Sequence, residues 1–159
     1  MKYRPLLGAL LLLISGSLLK AQTTAPKIEP RLLLSNSRIQ RGNVVRASFI
    51  IDVPTGYHLN AHDPMSKFAL PSKIEVEVPN GMTVGPINYP KAISRRFGFS
   101  DEPLGVYEKR LVIRFRVAVP VNASSGSHEI KVRLRYQSCS NEVCFPPAER
   151  EAKASIIVS

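Results

Sequence analysis

Hydrophobic and polar residues alternate with a period of two along several segments of the chain. Each segment places apolar side chains on one face and polar or charged side chains on the other. This alternation is typical of strands whose sheet buries one face against a core. The long segments are 45–53, 73–78, 110–119 and 129–136, and the shorter ones are 31–35, 57–60 and 153–158.

Turn-forming residues separate these segments, as in Pro54-Thr55-Gly56 and Ser124-Ser125-Gly126. No stretch after residue 21 shows a sustained helical period. We therefore predict an all-β fold, namely an immunoglobulin-like antiparallel β-sandwich of about seven or more strands.

A basic start followed by a short apolar run marks the first residues. Lys2 and Arg4 precede the run 6–19, which as a helix would reach about 21 Å, less than the ~30 Å hydrocarbon core of a bilayer. The pattern favours a signal peptide over a retained membrane anchor. We predict this peptide as residues 1–21, with a cut after Ser17 as the alternative.

The remaining chain divides into a flexible lead-in, residues 22–30, and one sandwich domain, residues 31–159. Removal of the signal peptide implies a periplasmic or otherwise exported protein. In such an oxidising compartment a pair of cysteines can form a disulfide.

The formal net charge of +10 falls to 10 − 3 = +7 without the signal peptide, which holds three basic residues and no acidic one. We interpret much of this charge as a solvated sheet face that resists edge pairing, with a surface for an acidic protein or anionic lipid as the alternative. No aromatic residue occupies the outward positions among these basic residues, which disfavours a nucleic-acid partner. The outward positions concerned are Arg110, Arg114, Arg116, Lys131, Arg133 and Arg135.

Only two cysteines occur, Cys139 and Cys144, too few for a disulfide scaffold or a four-cysteine zinc site. A disulfide between them would close a loop of about six residues and add only about 2 kcal/mol in the chain-entropy model, against about 4 for a loop of about sixty residues. Reversible thiol–disulfide exchange and a local loop clip both remain open on spacing alone.

Two other kinds of site, a zinc site and a hydrolase site, have weaker support in the sequence. His58 and His62, four residues apart on one predicted strand face, could join the cysteines in a zinc site, but no diagnostic ligand spacing accompanies them. His128 lies in a turn with no nucleophile motif, which disfavours a Ser-His-Asp hydrolase. We expect no metal and no other cofactor.

Three segments in order carry a resemblance to a known family. They are Gly56–Asn60 (GYHLN), Phe97–Glu108 (FGFSDEPLGVYE) and Tyr136–Pro147 (YQSCSNEVCFPP). Over roughly residues 28–158 the chain resembles the N-terminal periplasmic domain of the DsbD thiol:disulfide interchange family. The last segment is the most specific, because Tyr-Gln-x-Cys followed by Cys-x-Pro-Pro is distinctive of that domain.

The resemblance implies a redox relay through a reversible Cys139–Cys144 disulfide. By that match Cys144 would form mixed disulfides and Cys139 would resolve them. The implied partners are a membrane electron donor and thioredoxin-like periplasmic proteins, of the disulfide isomerase or cytochrome c maturation type. Because the sequence ends at Ser159 without a transmembrane conduit, we expect the reductant to come from another protein.

The resemblance also implies a long cap loop over the disulfide, here about residues 95–105, with Phe99 as the first shielding residue and Phe97 as the second. An aromatic lid would slow adventitious exchange until a partner arrives. The competing interpretation for both rings is ordinary core filling. The active-site neighbours implied by the same match are Tyr57, His58, Asn60, Tyr136 and Glu142.

We thus predict a thiol:disulfide exchange module, and if an enzyme, a protein-disulfide reductase. The alternative is a non-catalytic immunoglobulin-like binding module whose disulfide is structural. Charge near the sulfurs bears on the choice, because Glu142 between the cysteines would oppose thiolate formation and Arg95 or Arg96 would favour it.

Overall fold

A computed structural model of the protein describes residues 24–79 and 81–159, and this part of the chain contains twelve β-strands and no helix. The predicted signal peptide lies outside the described residues. Within them, no helix suited to crossing a bilayer is present. In chain order the strands are β1 (Arg31–Leu34), β2 (Arg38–Ile39), β3 (Val44–Asp52), β4 (His58–Asn60), β5 (Lys73–Glu77), β6 (Thr83–Val84), β7 (Ile93–Arg95), β8 (Leu104–Tyr107), β9 (Arg110–Ala118), β10 (Gly126–Tyr136), β11 (Ser138–Cys139) and β12 (Ala148–Val158).

Two four-stranded sheets form the body of the molecule. The first has the order β1-β3-β9-β6 and is antiparallel throughout. The second has the order β2-β12-β10-β5, in which only the short β2 runs parallel to its neighbour. Strands of both sheets contribute to one hydrophobic core, so the predicted all-β sandwich is confirmed.

The core follows directly from the alternation in the sequence. Along β3 and β9, buried and accessible positions alternate, because successive side chains of a strand point to opposite faces. Phe49 lies opposite Ile113 across these strands, and both side chains are fully buried. On β10, Ile130, Val132 and Leu134 face the same core from the second sheet.

Each of the seven predicted segments corresponds to an observed strand, although the observed bounds differ from the predicted ones. The largest difference is the last one, predicted as residues 153–158 and observed as an eleven-residue strand, Ala148–Val158. Its first half is mostly exposed and lacks an apolar face. That half is nevertheless extended because it pairs along β10, where Tyr136 lies opposite Ala148. Ladder hydrogen bonds to a neighbouring strand decide its length, and the strand's own pattern does not.

The predicted flexible lead-in is packed against the sandwich where the structure describes it. Ile28 is fully buried and belongs to the hydrophobic core. The carbonyl oxygen of Thr24 accepts a hydrogen bond of 3.0 Å from the hydroxyl of Tyr57. The one large aliphatic side chain of this segment therefore packs into the core. A prediction of flexibility from composition does not take such a contact into account.

Most of the outward basic residues of β9 and β10 have acidic neighbours. The shortest contact joins Arg110 to Asp52 at 2.6 Å, and hydrogen bonding to Arg110 lowers the pKa of the Asp52 carboxyl. No carboxylate of the described residues lies within ion-pair range of Arg114 or Arg116. The ion pairs support the solvated-face interpretation for four of the six positions. The other such pairs are Lys131–Glu77, Arg133–Glu75, Arg133–Glu77 and Arg135–Glu149.

Candidate functional site

A third, smaller sheet lies beside the sandwich and carries both cysteines. Its order is β11-β4-β8-β7, and its strands are only two to four residues long. Leu59 of β4 lies opposite Tyr107 of β8, and both belong to the hydrophobic core. Because side chains alternate along a strand, the neighbours of Leu59, His58 and Asn60, project from the opposite face. This second face is also buried at β4, so β4 is covered on both sides.

Cys139 and Cys144 form a disulfide across a tight loop. The amide of Ser140 donates to the carbonyl of Val143 at 2.8 Å, and the amide of Phe145 donates to the carbonyl of Ser138 at 2.9 Å. These two bonds flank the cysteines, which lie opposite each other with their Cα atoms 4.0 Å apart. Opposed positions between ladder bonds bring side chains closest in an antiparallel pair, which is the placement that a local disulfide needs.

The two sulfur-bearing residues differ sharply in exposure. Cys139 is fully buried, whereas Cys144 is partly accessible. Cys144 lines an open groove of about 450 Å³ together with Asn60, Phe68, Phe99 and Gln137. A molecule that approaches this groove therefore meets Cys144 and not Cys139.

The predicted cap is the end of a β-hairpin. β7 pairs with β8, so the cap proper is residues 96–103. The ring of Phe97 stacks on His58 with centroids 4.2 Å apart, and Phe99 stacks on Phe97 at 5.1 Å. Neither phenylalanine belongs to the hydrophobic core, and Phe99 is 38% exposed. The core-filling interpretation is wrong, because these rings stack above the outer face of the small sheet.

The backbone of β8, the second strand of this hairpin, lies very close to the loop that follows β4. A Cβ atom at Gly105 would lie 2.6 Å from the carbonyl oxygen of Asp63, closer than any side chain could be accommodated. The amide of Gly105 also donates to the carbonyl of Pro64 at 2.8 Å, and its carbonyl accepts from the amide of Ala61 at 2.9 Å. Only glycine allows the loop after β4 to pack this closely against β8.

A two-point ion pair holds the base of the cap. The guanidinium of Arg95 donates to both carboxylate oxygens of Glu108, each at 2.9 Å. This hydrogen bonding lowers the pKa of Glu108. The charge of Arg95 is therefore committed to Glu108, while Glu142 in the cysteine loop is exposed to solvent. The expectations for the charges of Arg95, Arg96 and Glu142 at the sulfurs stay predictions.

The outer face of β4 holds two buried polar atoms without hydrogen-bond partners in the described structure, Nε2 of His58 and Oδ1 of Asn60. The amide nitrogen of Asn60 is satisfied, because it donates to the carbonyl of Leu70 and to Oε1 of Gln137. Burial lowers the pKa of His58, and the nearby carboxylate of Glu108 partly opposes this. Buried polar atoms are normally paired, so these two mark the face as chemically unusual.

The two remaining predicted active-site neighbours, Tyr57 and Tyr136, lie in different surroundings. Tyr57 lines a small cavity with His58 and lies 6.0 Å from the ring of Phe145, next to Cys144. Tyr136 is packed in the hydrophobic core. Sequence reasoning missed Gln137 and Phe68 on the groove wall, and no pattern in the sequence distinguishes Phe68 from any other exposed loop residue.

The possible zinc ligands are not brought together. β4 ends at Asn60, so His62 lies beyond the strand and the expectation that both histidines share one strand face is wrong. The ring of His62 stacks on Tyr89 at 3.8 Å, whereas His58 lies under Phe97. Among the described residues no cluster of three or more potential metal ligands occurs.

A sandwich that carries a partly accessible disulfide is the architecture of a thiol:disulfide exchange domain. A family model described as "Thiol:disulfide interchange protein DsbD, N-terminal" matches residues 29–156, and the chain belongs to this family. No curated protein matches the sequence significantly.

The fold is similar to that of a solved periplasmic domain. The N-terminal periplasmic domain of ScsB from Proteus mirabilis superposes with a TM-score of 0.54 at 14% identity, covering 82% of this chain and 48% of that one. The reduced DsbD N-terminal domain of Neisseria meningitidis gives 0.44 at 20% identity, covering 73% and 79%. The complex of the DsbD and PilB N-terminal domains from the same organism gives 0.45 at 19% identity, covering 78% and 79%.

Proposed function

We propose that this protein relays reducing equivalents between thioredoxin-like partners through a reversible Cys139–Cys144 disulfide. In the reductive direction a partner thiolate attacks Cys144, the sulfur–sulfur bond opens, and its electron pair leaves on Cys139. A mixed disulfide between the partner and Cys144 results. A second thiolate of this donor then attacks the donor's own sulfur and releases Cys144 as a thiolate, which leaves the pair reduced and the donor oxidised. Towards an acceptor, the Cys144 thiolate attacks the acceptor's disulfide, and Cys139 then attacks the Cys144 sulfur of the new mixed disulfide and releases the acceptor in its reduced form.

The observation that carries the proposal is the difference in exposure between the two cysteines. Exchange requires a nucleophile to reach a sulfur atom, and only Cys144 lines the open groove while Cys139 is fully buried. A local structural clip has no need for one accessible sulfur beside a groove. The small loop that it closes also contributes little to stability, about 2 kcal/mol in the chain-entropy model.

The cap supports a partner-dependent exchange. Phe99 and Cys144 line the same groove, and Phe99 is connected through Phe97 to His58 in a continuous stack of three rings. A thiolate that attacks Cys144 would have to enter past Phe99. We expect the hairpin to keep small oxidants and reductants away until a partner displaces this ring.

The partners we propose are thioredoxin-like proteins and a membrane electron donor, and the compartment is the periplasm after cleavage of residues 1–21. Family membership supports the exchange chemistry. The groove beside Cys144 also has exposed apolar side chains near it, notably Phe68 at 85% and Phe99 at 38% exposure. Such a rim suits a protein partner better than a small, soluble thiol.

The experiment compares the two cysteines one at a time. Cys139→Ser and Cys144→Ser proteins, each carrying thionitrobenzoate on the remaining sulfur, are mixed with a reduced thioredoxin-like protein. Release of thionitrobenzoate is then followed by absorbance. We expect attack at Cys144 to be at least tenfold faster than attack at Cys139, because the latter is buried.

Two controls make the result specific. Phe99→Ala should speed attack on Cys144 by a small thiol such as glutathione, because it removes the shielding ring, while Phe68→Ala should not. Equal rates at the two cysteines, or no reaction of either with the thioredoxin-like protein, would favour a binding module with a structural disulfide.

A further inference from the structure

We infer that His58 is the proton acceptor of the Cys139 thiol, in a row Glu108–His58–Cys139 beneath the cap. The inference rests on the proposed function, because it assigns the proton transfer that accompanies opening and closing of that disulfide. Neither the ring stack nor the core requires a histidine at this position, since any aromatic residue would stack on Phe97.

The strand register places His58 beside the reacting sulfur. Cys139 has two cross-strand neighbours, His58 of β4 on one side and Cys144 on the other. Residues directly opposite in an antiparallel pair project to the same face, with Cβ atoms about 4.5–5.5 Å apart. The imidazole and both sulfurs therefore share the outer face of the small sheet, beneath the cap.

The imidazole has an unused buried atom on this face. His58 is 2% exposed, and its Nε2 has no hydrogen-bond partner among the described residues. In the disulfide form Cys139 carries no proton to offer. Reduction creates an S–H donor on Cys139, so the dithiol form supplies the partner that the disulfide form lacks.

The groups around His58 suit a base that works near neutral pH. The pairing of Leu59 with Tyr107, continued by one residue, places His58 opposite Glu108, and Glu108 is itself held by Arg95. Lys109 and Asn141 line the same cavity of about 260 Å³, and Phe97 covers the ring. Burial lowers the pKa of His58 while Glu108 opposes the shift, so the ring is neutral at neutral pH and can accept a proton.

The proton and electron movements balance within the exchange reaction. In the resolving step Nε2 takes the proton of the Cys139 thiol, the thiolate attacks the Cys144 sulfur of the mixed disulfide, and the partner leaves as its thiolate. In the reverse step the electron pair of the disulfide leaves on Cys139, and the imidazolium returns the proton to it. The partner's thiol is the only reductant needed.

The test mixes the reduced protein with the disulfide reagent dithiobis(nitrobenzoate), and no protein partner is present. Attack by Cys144 releases one thionitrobenzoate, and closure by Cys139 releases a second in a step whose rate is independent of reagent concentration. We expect His58→Gln and His58→Phe to slow this second step by about a hundredfold or more at pH 7, the usual range for a lost general base. Its pH profile should move towards that of an ordinary thiol, near pH 8.5.

The matched variants separate proton transfer from packing. His58→Phe keeps a ring for Phe97 to stack on but has no nitrogen, whereas Phe97→Leu removes the stack and keeps the imidazole. Phe97→Leu keeps the imidazole and should therefore slow the second step far less than His58→Phe does, even though it uncovers the ring. Wild-type rates and profiles in both His58 variants would overturn the inference.

If the variants do not fold, NMR of the wild-type protein provides a second test. The ¹⁵N chemical shift of His58 Nε2 should change on reduction, because the atom gains a hydrogen-bond partner, and an unchanged shift would contradict the inference. Neither test involves a thioredoxin-like protein. A failure of the relay between partners therefore leaves both readouts intact and can be recognised separately.

Discussion

The sandwich and the small sheet beside it are built from the same kind of backbone but are stabilised differently. The sandwich has strands of up to eleven residues and a continuous apolar core. The small sheet has strands of two to four residues, and its outer face buries two polar atoms without partners near a disulfide. A stable body thus supports a face that alone would be poorly stabilised, since strands this short have little independent stability.

The two regions therefore have different roles, with the sandwich providing stability and the small sheet providing the reactive site. In the sandwich, hydrophobic burial holds the fold and most charged side chains are solvated or paired at the surface. In the small sheet, the cap, the Arg95–Glu108 pair and the neighbouring loop exclude water from His58 and Cys139. Mutations in the first region should change stability, and mutations in the second should change reactivity.

The largest expected effect tests the sandwich. Phe49→Ala removes a fully buried ring from the centre of the core and should lower the free energy of unfolding by about 3–5 kcal/mol. Denaturant titration of the oxidised protein measures this change. The rate of thionitrobenzoate release from Cys144 in the folded variant should stay within about twofold of the wild-type value. A large change in that rate would show that the two regions are not separable.

A smaller effect is expected from the disulfide. Reduction of Cys139–Cys144 should lower the free energy of unfolding by about 2 kcal/mol or less, because the closed loop is short. Unfolding curves of the oxidised and reduced protein, recorded at one pH, provide the comparison. A loss of about 4 kcal/mol or more would indicate that the bond staples the fold and would weaken the case for reversible exchange.

The smallest expected effect concerns pH. Burial lowers the pKa of His58 below its usual value of about 6.5, so the unfolded chain takes up a proton at this residue more readily than the folded one. The contribution of His58 to stability is therefore fully present above about pH 6.5 and is lost as the pH falls through the folded pKa. His58→Phe should flatten the dependence of unfolding free energy on pH between 7 and 5.

The contradicting outcome is a full wild-type slope in His58→Phe, because the buried histidine would then not be the group that takes up the proton.

The sequence predicts the two regions unequally well for physical reasons. The long strands of the sandwich bury one face each, so alternation in residues such as those of β9 and β10 reports them directly. The strands β7, β8 and β11 are too short to show a period, and β4 is buried on both faces. Their pairing depends on contacts between segments far apart in the chain, which no local pattern contains.

The site was accessible to sequence reasoning only in part. The spacing of Cys139 and Cys144 left a clip and an exchange site equally open, and the resemblance to the DsbD N-terminal family favoured exchange. The burial of one cysteine and exposure of the other arise from the pairing of Cys139 with His58 across β11 and β4. For the same reason the stack of Phe97 on His58 could be described only once the fold was known.

The reduction potential of the Cys139–Cys144 pair distinguishes an exchange site from a structural clip. Equilibration of the protein with glutathione or dithiothreitol buffers, followed by thiol trapping, gives this potential. We predict a value above about −300 mV, where thioredoxin-like proteins can both reduce and oxidise the pair. A potential well below about −300 mV, together with no exchange with such proteins, would contradict it and identify the disulfide as a structural clip.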